Sequence, residues 1–240
     1  MKRKIFQSFF IIFLILLISS AVFSQGEEFI RPVRVGEQMP DFTLPVYQGG
    51  EVTLSKLRGK NVIIIFPRGL AGERHWCHVC NYQYAEISEL ELKKQIRKLN
   101  NVEILFILPY SREMIDDWVE KFTLQMDDLK KWKNPDTPEK LDEKGKKRVE
   151  LLRKYFPKNY EYEEGKVPLP IPILIDSDRV VSGGLQLFTK EWSGSKIEQN
   201  IPAVFIVDEE GILRFKYISQ NTFDRPDAEY LLNILSCLTR

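Results

Sequence analysis

The chain has 240 residues, and its 35 basic and 34 acidic side chains leave a formal net charge of +1. This balance provides no strong field for nucleic acid, so nucleic acid is not expected as a partner. An apolar fraction of 43% permits a substantial core and excludes disorder throughout, while three cysteines are too few for a disulfide scaffold.

The N-terminal segment has the three-part pattern of an export signal. A cationic start, Lys2–Lys4, precedes an unbroken apolar run, Phe9–Ile18, and small side chains follow up to Ser24. This order predicts a signal peptide over 1–24 that is cleaved after Ser24, and an exported protein of the periplasm or another extracytoplasmic compartment. The alternative is an uncleaved anchor over 5–23, the one route to a membrane that the pattern indicates.

The mature chain reads as a linker over 25–35 followed by one α/β domain over 36–240. Apolar, β-branched runs predict strands covered on both faces at Asn61–Phe66, Val102–Leu108 and Ile171–Ile175. A hairpin is predicted over 202–218, with its turn at Asp208–Gly211.

Helical patterns separate these strands. Apolar residues recur at helical spacing over Cys77–Leu99, a second helix is predicted from Ser111 to about Phe122, and the last covers about Pro226–Leu238. Strands alternating with helices predict an α/β sheet.

A charged insertion is predicted at about 123–168. Between Asp127 and Lys166, 22 of 40 residues are charged, ten acidic and twelve basic. Mixed charge at this density is typical of exposed helices, so the segment is interpreted as a solvated surface excursion rather than a dedicated partner site.

Two cysteines, Cys77 and Cys80, stand where the first core strand has run through a loop into a long helix. The N-terminus of a helix favours a thiolate, and a neighbouring imidazolium from His78 would lower the pKa of Cys77 further. Cys80 lies one turn later on the buried stripe and suits a shielded second thiol. The third cysteine, Cys237, is interpreted as a core residue of the last helix.

Three interpretations of this pair remain open from the residues alone. The first is a redox dithiol, which a C-x-x-C pair at a strand-to-helix junction favours. The second is a metal site formed by His75, Cys77, His78 and Cys80, although a structural zinc needs a second ligand pair and the chain has no further histidine. The third is a structural disulfide or two buried thiols.

Several segments in order resemble the thioredoxin-like superfamily, and more narrowly the redoxins of the alkyl hydroperoxide reductase/thiol-specific antioxidant family. The opening Val35–Leu44, then Phe66–Gly69 with Trp76–Cys80, and finally Ile201–Gly211 are similar to that family's motifs. The resemblance implies a thioredoxin-like fold over 36–240, with a central mixed β-sheet flanked by helices, an N-terminal hairpin and the charged helical insertion.

The resemblance also implies roles. Cys77 would be the nucleophile, Cys80 the resolving thiol, and Pro202 a cis-proline facing the pair at the start of an exposed strand edge. Arg68 and Trp76 belong to the matching motifs and are supporting candidates together with His78.

Departures from the family pattern affect the peroxide chemistry. Leu70 and Arg74 occupy the positions where peroxiredoxins carry proline and a hydroxyl residue, and five extra residues separate Phe66–Gly69 from Trp76.

Three functions follow as expectations. The first is extracytoplasmic thiol–disulfide exchange at Cys77 and Cys80, contributing to redox homeostasis, with protein thiols or disulfides as substrates and an unidentified thiol electron donor. The second is thiol-dependent peroxide reduction by Cys77, and the third is a non-catalytic metal-binding or copper-delivery module. No cofactor and no resident metal are expected for the first two.

Overall fold

The structure is a computed structural model that describes residues 30–238. The signal peptide predicted over 1–24 and the alternative anchor over 5–23 lie outside these residues. Between residues 30 and 238, no helix combines the length and apolar character that crossing a bilayer requires.

The strands of the described chain, in order, are β1 (Thr43–Pro45), β2 (Glu51–Thr53), β3 (Asn61–Phe66), β4 (Leu70–Gly72), β5 (His75–Trp76), β6 (Val102–Leu108), β7 (Ile173–Ile175), β8 (Phe188–Thr189), β9 (Gln199–Asn200), β10 (Ala203–Val207) and β11 (Leu213–Ile218). The α-helices are α1 (His78–Lys94), α2 (Ile96–Leu99), α3 (Arg112–Glu120), α4 (Phe122–Lys133), α5 (Glu143–Tyr155), α6 (Val180–Gly184) and α7 (Ala228–Leu238). Single 3₁₀ turns cover Leu54–Leu57 and Pro138–Lys140.

A mixed five-stranded sheet with the order β11-β10-β3-β6-β7 forms the centre of the fold. Strand β3 pairs in parallel with β6 and antiparallel with β10, and the predicted hairpin of β10 and β11 completes that side. The predicted α/β fold with a mixed sheet is therefore confirmed. The strand predicted over Ile171–Ile175 is shorter, Ile173–Ile175, because Pro172 has no N–H to give to a ladder.

Strand β3 is buried on both faces, as its unbroken apolar run predicts. Its side chains alternate: Ile63 and Ile65 join the cluster that contains Tyr84 and Trp118 of the helices, whereas Ile64 and Phe66 pack with the N-terminal segments. The sheet therefore divides two apolar layers, and the chain leaves β3 between them toward the cysteine pair.

The N-terminal hairpin is present, with β1 antiparallel to β2. The linker predicted over 25–35 extends too far, because Ile30 and Val33 are buried in the core. Strand β11 also binds this segment, since the Lys216 Nζ donates to the Val33 carbonyl over 3.1 Å. The described end of the predicted linker thus belongs to the folded domain.

The helix predicted over Cys77–Leu99 is interrupted. Its first part ends at Lys94, and Gln95 adopts a left-handed conformation with φ of 50° before a further short turn. After the kink Ile96 is buried and Leu99 is exposed, and Leu92, which precedes the kink, is exposed as well. The kink follows Cys80, Tyr84 and Ile87, which are buried as predicted.

The prediction that Cys237 is a core residue is wrong, because its side chain is exposed. Helix α7 buries Leu231 and Leu235, which are four residues apart and share one face. Cys237 lies two residues beyond Leu235 and therefore points to the other side of the helix.

The charged insertion is more than a solvated excursion. Met126 and Leu129 of α4 and Leu152 of α5 are buried in the same cluster as the helix that carries the cysteines. Phe156, just after α5, meets Tyr82 of α1 with ring centroids 4.9 Å apart. The interpretation as a surface excursion is wrong for the inner faces of these helices, because apolar side chains spaced among the charges anchor them beside the N-terminal turns of α1.

Gly69 is predicted to be indispensable for the loop that precedes the cysteines. Its φ is +80°, and an added Cβ would lie 2.3 Å from the Tyr110 ring. Gly69→Ala should lower the free energy of unfolding by about 3 kcal/mol, through left-handed strain of about 1–2 kcal/mol and overpacking of similar size. Urea unfolding measures the loss. Gly59→Ala, with φ +87° and nothing within 4 Å of the added Cβ, is the matched control and should show the strain alone; equal losses would contradict the role of Tyr110.

Candidate active site

The loop between β3 and the cysteines is a small hairpin. Strands β4 and β5 pair antiparallel, and the five residues that the sequence inserts before Trp76 supply this hairpin. Arg74 stands at the turn in a left-handed conformation, with φ of 54° and an exposed side chain. At the base, the Cys77 N–H donates to the Gly69 carbonyl over 2.9 Å, which positions the start of α1.

Cys77 is the N-cap of helix α1, and only 4% of its surface is exposed. Its carbonyl accepts from the backbone N–H of Cys80 over 3.0 Å, so the two cysteines occupy the first turn together. The pKa of the Cys77 thiol is lowered to about 6. The first cause is a hydrogen bond from the Cys80 thiol; the guanidinium charges of Arg225 and Arg68 and the Cys80 N–H assist, and burial opposes them.

Cys80 lies deeper and keeps its proton. Burial is the first cause that raises its pKa well above the usual value, and the hydrogen bond and negative charge shared with Cys77 raise it further. Its sulfur accepts the backbone N–H of Arg68 over 3.2 Å. Both thiols are free. The pair therefore consists of one thiol with a lowered pKa and one with a raised pKa. The roles of nucleophile and resolving thiol stay predictions.

His78 does not play the predicted part of an imidazolium. Burial first, and then the neighbouring His75, lower its pKa to about 4, so it is neutral at neutral pH. Its ring packs on Trp132 of the insertion, with centroids 4.4 Å apart, and its Nε2 lies 3.6 Å from a carboxylate oxygen of Asp128. The positive charge that lowers the pKa of Cys77 consequently comes from residues other than His78.

Two arginines supply positive charge to the site. Arg68 is buried; its Nε donates to Gln199 over 2.6 Å and its guanidinium lies 5.2 Å from the centre of the Trp192 ring. Arg225, from the segment before α7, places its guanidinium 5.5 Å from the same ring and donates through Nη1 to Ser219 and to the Asn221 carbonyl.

Arg225 is the residue that sequence reasoning missed. It lies 145 residues after Cys80 in the chain, outside every motif, and no local pattern predicts that it returns to Trp192. Its side chain is 6% exposed, and its Nη1 also donates to a carboxylate oxygen of Asp224 over 3.2 Å. Its Nε and Nη2 have no hydrogen-bond partner within the described residues. Although Arg225 is paired with Asp224, its charge contributes more than that of Arg68 to lowering the pKa of Cys77.

Trp76 is a structural support. It is buried, its indole N–H donates to Asp117 over 2.7 Å, and its carbonyl accepts from Gln125 over 3.1 Å. Its ring meets Tyr110 at right angles, with centroids 5.3 Å apart. These contacts join the residue before Cys77 to helices α3 and α4.

The predictions for Pro202 are wrong in two respects. No peptide bond between residues 30 and 238 is cis. Nor does Pro202 begin an exposed edge, because β10 pairs with β3 on one side and β11 on the other. The preceding Asn200 N–H donates to the Arg68 carbonyl and the Ile201 N–H to that of Leu187, so this backbone is already occupied.

Cys77 opens onto a groove of about 620 Å³. We call it the thiol groove; its walls include Cys77, Leu129, Trp132, Arg148, Leu151 and Phe223. Most of these side chains belong to the insertion helices α4 and α5 and were predicted only as solvated surface. The thiol is thus nearly buried but accessible from one side, where a substrate can approach.

The metal alternative has little geometric support. His75 and His78 have ring centroids 4.9 Å apart. Within residues 30–238, however, no group of three or more histidine, cysteine, aspartate or glutamate side chains could hold a metal ion.

Comparison with known proteins identifies the class. The AhpC/TSA family matches residues 35–216, and the chain belongs to this family. It is therefore a thiol-based oxidoreductase, the class that a low-pKa cysteine beside a second thiol also indicates.

Similar solved structures are peroxiredoxins. The reduced 2-Cys peroxiredoxin of Plasmodium vivax has a TM-score of 0.54 and 17% identity, covering 87% of this chain and 83% of that one. AhpC of Mycobacterium bovis has a TM-score of 0.54 and 15% identity, covering 87% of this chain and 93% of that one. A cysteine-to-serine mutant of the peroxiredoxin 6 of Arenicola marina has a TM-score of 0.54 and 13% identity, covering 86% of this chain and 74% of that one. Identities this low show the shared fold alone. No curated protein matches the chain.

We predict that Cys80→Ala raises the pKa of Cys77. The variant removes the thiol that donates to the Cys77 sulfur, and a hydrogen bond to a charged group of about 1.5–3 kcal/mol corresponds to about one to two pKa units. The rate of alkylation by iodoacetamide should rise with pH through about 6 in the native protein and at clearly higher pH in the variant. Cys237→Ser in both backgrounds removes the exposed thiol; an unchanged profile would contradict the role of Cys80.

We predict a second contrast between Arg225 and His78. Arg225→Gln should raise the pKa of Cys77, by less than Cys80→Ala does, because it removes one of the positive charges that stabilise the thiolate. His78→Phe should leave this pKa near its native value, because His78 is neutral there. The same alkylation profiles measure both variants. Arg214→Gln is the control for loss of charge alone, because Arg214 lies on β11 and is likewise paired with a carboxylate, that of Asp208.

Proposed function

We propose that this protein is a thiol–disulfide oxidoreductase that passes electron pairs between the Cys77–Cys80 dithiol and the thiols or disulfides of its substrates. The observation that carries this proposal is the unequal pair itself. The pKa of Cys77 is about 6, that of Cys80 is raised, and the first sulfur faces the thiol groove while the second lies behind it.

In the first step the Cys77 thiolate attacks one sulfur of a substrate disulfide. The substrate S–S bond breaks, a Cys77–substrate S–S bond forms, and the other substrate sulfur leaves as a thiolate that takes a proton from water. A pKa near 6 keeps Cys77 largely ionised at neutral pH, so the attacking species is present without a separate base.

The second step is resolution by Cys80. Once Cys77 is in a mixed disulfide its negative charge is lost, and two of the causes that raise the pKa of Cys80 vanish with it. Cys80 then gives its proton to solvent and attacks the Cys77 sulfur, which forms the Cys77–Cys80 bond and releases the second substrate sulfur as a thiolate. The substrate has gained two electrons, and a thiol donor then reduces the Cys77–Cys80 disulfide back to the dithiol.

The stabilised thiolate also favours the reverse of these two steps, in which the Cys77–Cys80 disulfide oxidises substrate thiols. Whatever lowers the pKa of Cys77 stabilises the dithiol relative to the disulfide and raises the reduction potential of the couple. The oxidised pair is therefore a good acceptor of electrons from substrate thiols.

Peroxide reduction is a second candidate, which family membership and the two arginines near Cys77 favour. The thiolate would attack one peroxide oxygen to form a sulfenic acid, the O–O bond would break, and the leaving oxygen would take a proton from water and depart as water or an alcohol. Cys80 would then condense with the sulfenic acid, forming the Cys77–Cys80 disulfide and releasing one water. Against this candidate, the position of the peroxiredoxin hydroxyl is held by Arg74, which is exposed at the hairpin turn.

We further propose that the enzyme acts outside the cytoplasm. The support is the charge and hydropathy pattern over 1–24, together with a dithiol chemistry suited to compartments where disulfides form.

We predict that Cys77→Ser reduces the rate of insulin reduction by dithiothreitol to that of dithiothreitol alone, because the attacking sulfur is gone. Cys80→Ser should accumulate a Cys77 mixed disulfide with the substrate, visible by mass spectrometry, because the resolving thiol is absent. Cys237→Ser is the matched control and should retain the native rate. If Cys77→Ser turns over insulin as fast as the native protein, the proposed function is wrong.

The same proteins separate the second candidate. Stopped-flow oxidation by hydrogen peroxide or by a tert-alkyl hydroperoxide should be faster at Cys77 than at a free cysteine thiolate if peroxide is the substrate. A rate equal to that of the free thiolate excludes peroxide reduction and leaves disulfide exchange in place.

A further inference from the structure

The thiol groove has a surface that disulfide exchange alone does not require. Trp132, Leu151, Tyr155 and Phe223 line it, and each is between 37% and 52% exposed. Large apolar side chains exposed next to one another mark interaction sites rather than ordinary solvated surface. Tryptophan, tyrosine and arginine are also the residues that dominate binding energy at protein interfaces.

The walls of the groove are held in place by their own contacts. Trp132 lies against His78 of the active-site helix, and the Arg148 guanidinium lies 5.7 Å from the Trp132 ring centre. On the other side Tyr155 and Phe223 stack with centroids 5.6 Å apart. Preorganised aromatic walls lose little conformational entropy when a ligand is bound.

The rim of the groove is cationic. Lys144, Lys147 and Arg148 follow one face of α5 and line the groove, and none of the three forms an ion pair within the described residues. No acidic side chain lines the groove in that part of the chain, and Asp128 faces His78 instead. A ligand that complements these walls has apolar groups for the floor and negative charge for the rim.

We propose that the thiol groove docks an acidic segment of substrate polypeptide, with apolar side chains on its floor and carboxylates against Lys144, Lys147 and Arg148, next to the disulfide that Cys77 attacks. This inference rests on the proposed function. It makes the charged insertion the specificity element of the enzyme, because α4 and α5 supply most of the aromatic floor and the cationic rim while α1 supplies the thiolate.

Two peptide disulfides of equal length test the docking. Each is a symmetrical dimer of a peptide with one cysteine between leucine and phenylalanine, flanked by aspartate and glutamate in one and by lysine in the other. The pre-reduced protein should reduce the acidic dimer at least about tenfold faster than the basic one at low salt. The preference should shrink as ionic strength rises, because the rim charges are exposed and screened.

Charge variants on one helix assign the preference to the rim. Lys144→Glu/Lys147→Glu should abolish or reverse the ratio of acidic to basic rates. Lys146→Glu/Lys154→Glu changes the charge of the same helix by the same amount at exposed positions outside the groove, and should keep the native ratio. Leu151→Ser should slow both peptides, whereas Leu99→Ser, at an exposed leucine of α2, should not.

Hydroxyethyl disulfide, small and uncharged, separates failure of the docking from failure of the function. Turnover of this probe with equal rates for the two peptides overturns the docking proposal and leaves the oxidoreductase proposal intact. Failure of the native protein to reduce either the probe or the peptides overturns both proposals.

A competition experiment tests which kind of ligand the groove binds. An acidic peptide with serine in place of cysteine should slow the reduction of the acidic dimer. Stronger competition by decanoate would show that the groove binds a small amphiphile and would overturn the polypeptide as occupant.

Discussion

The chemistry of the site depends on a hydrogen bond between two sulfurs in the first turn of α1. The Cys80 thiol donates to Cys77, and this contact, rather than a neighbouring histidine, is the main reason that the pKa of Cys77 falls to about 6 although the side chain is buried. Burial is the first cause that raises the pKa of Cys80, and the same contact with Cys77 raises it further. This interaction therefore lowers the pKa of one sulfur and raises that of the other, and the proposed order of attack and resolution rests on that difference.

The loop before Cys77 and the charged insertion both pack around the two cysteines. Gly69 accepts the Cys77 N–H and leaves room for Tyr110, and Trp76 joins the loop to the helices behind it. Helices α4 and α5 then enclose the N-terminal turn of α1 and leave a groove open beside Cys77. A segment with many charges of both signs therefore covers Cys77 on one side and lines the groove beside it with aromatic and cationic side chains.

Positive charge at the site comes from distant parts of the chain. Arg68 follows β3, Arg225 precedes α7, and both guanidinium groups lie close to Trp192 in the β8–β9 hairpin. Pro202 precedes β10 with a trans peptide bond, and β10 is paired on both sides. The positive charges that lower the pKa of Cys77 are therefore those of Arg225 and Arg68, not that of the predicted His78 imidazolium.

Local patterns in the sequence are enough to predict the sheet, the position of the cysteine pair and the family. Unbroken apolar runs such as Asn61–Phe66 are local signals of buried strands, and a C-x-x-C pair after such a strand places two thiols on one helical turn. The kink at Gln95, the exposure of Cys237, the neutrality of His78, the approach of Arg225 and the inner face of the insertion emerge only when the chain is folded. The physical reason is that burial, charge and packing depend on residues far apart in the chain, and no local spacing records which of them meet.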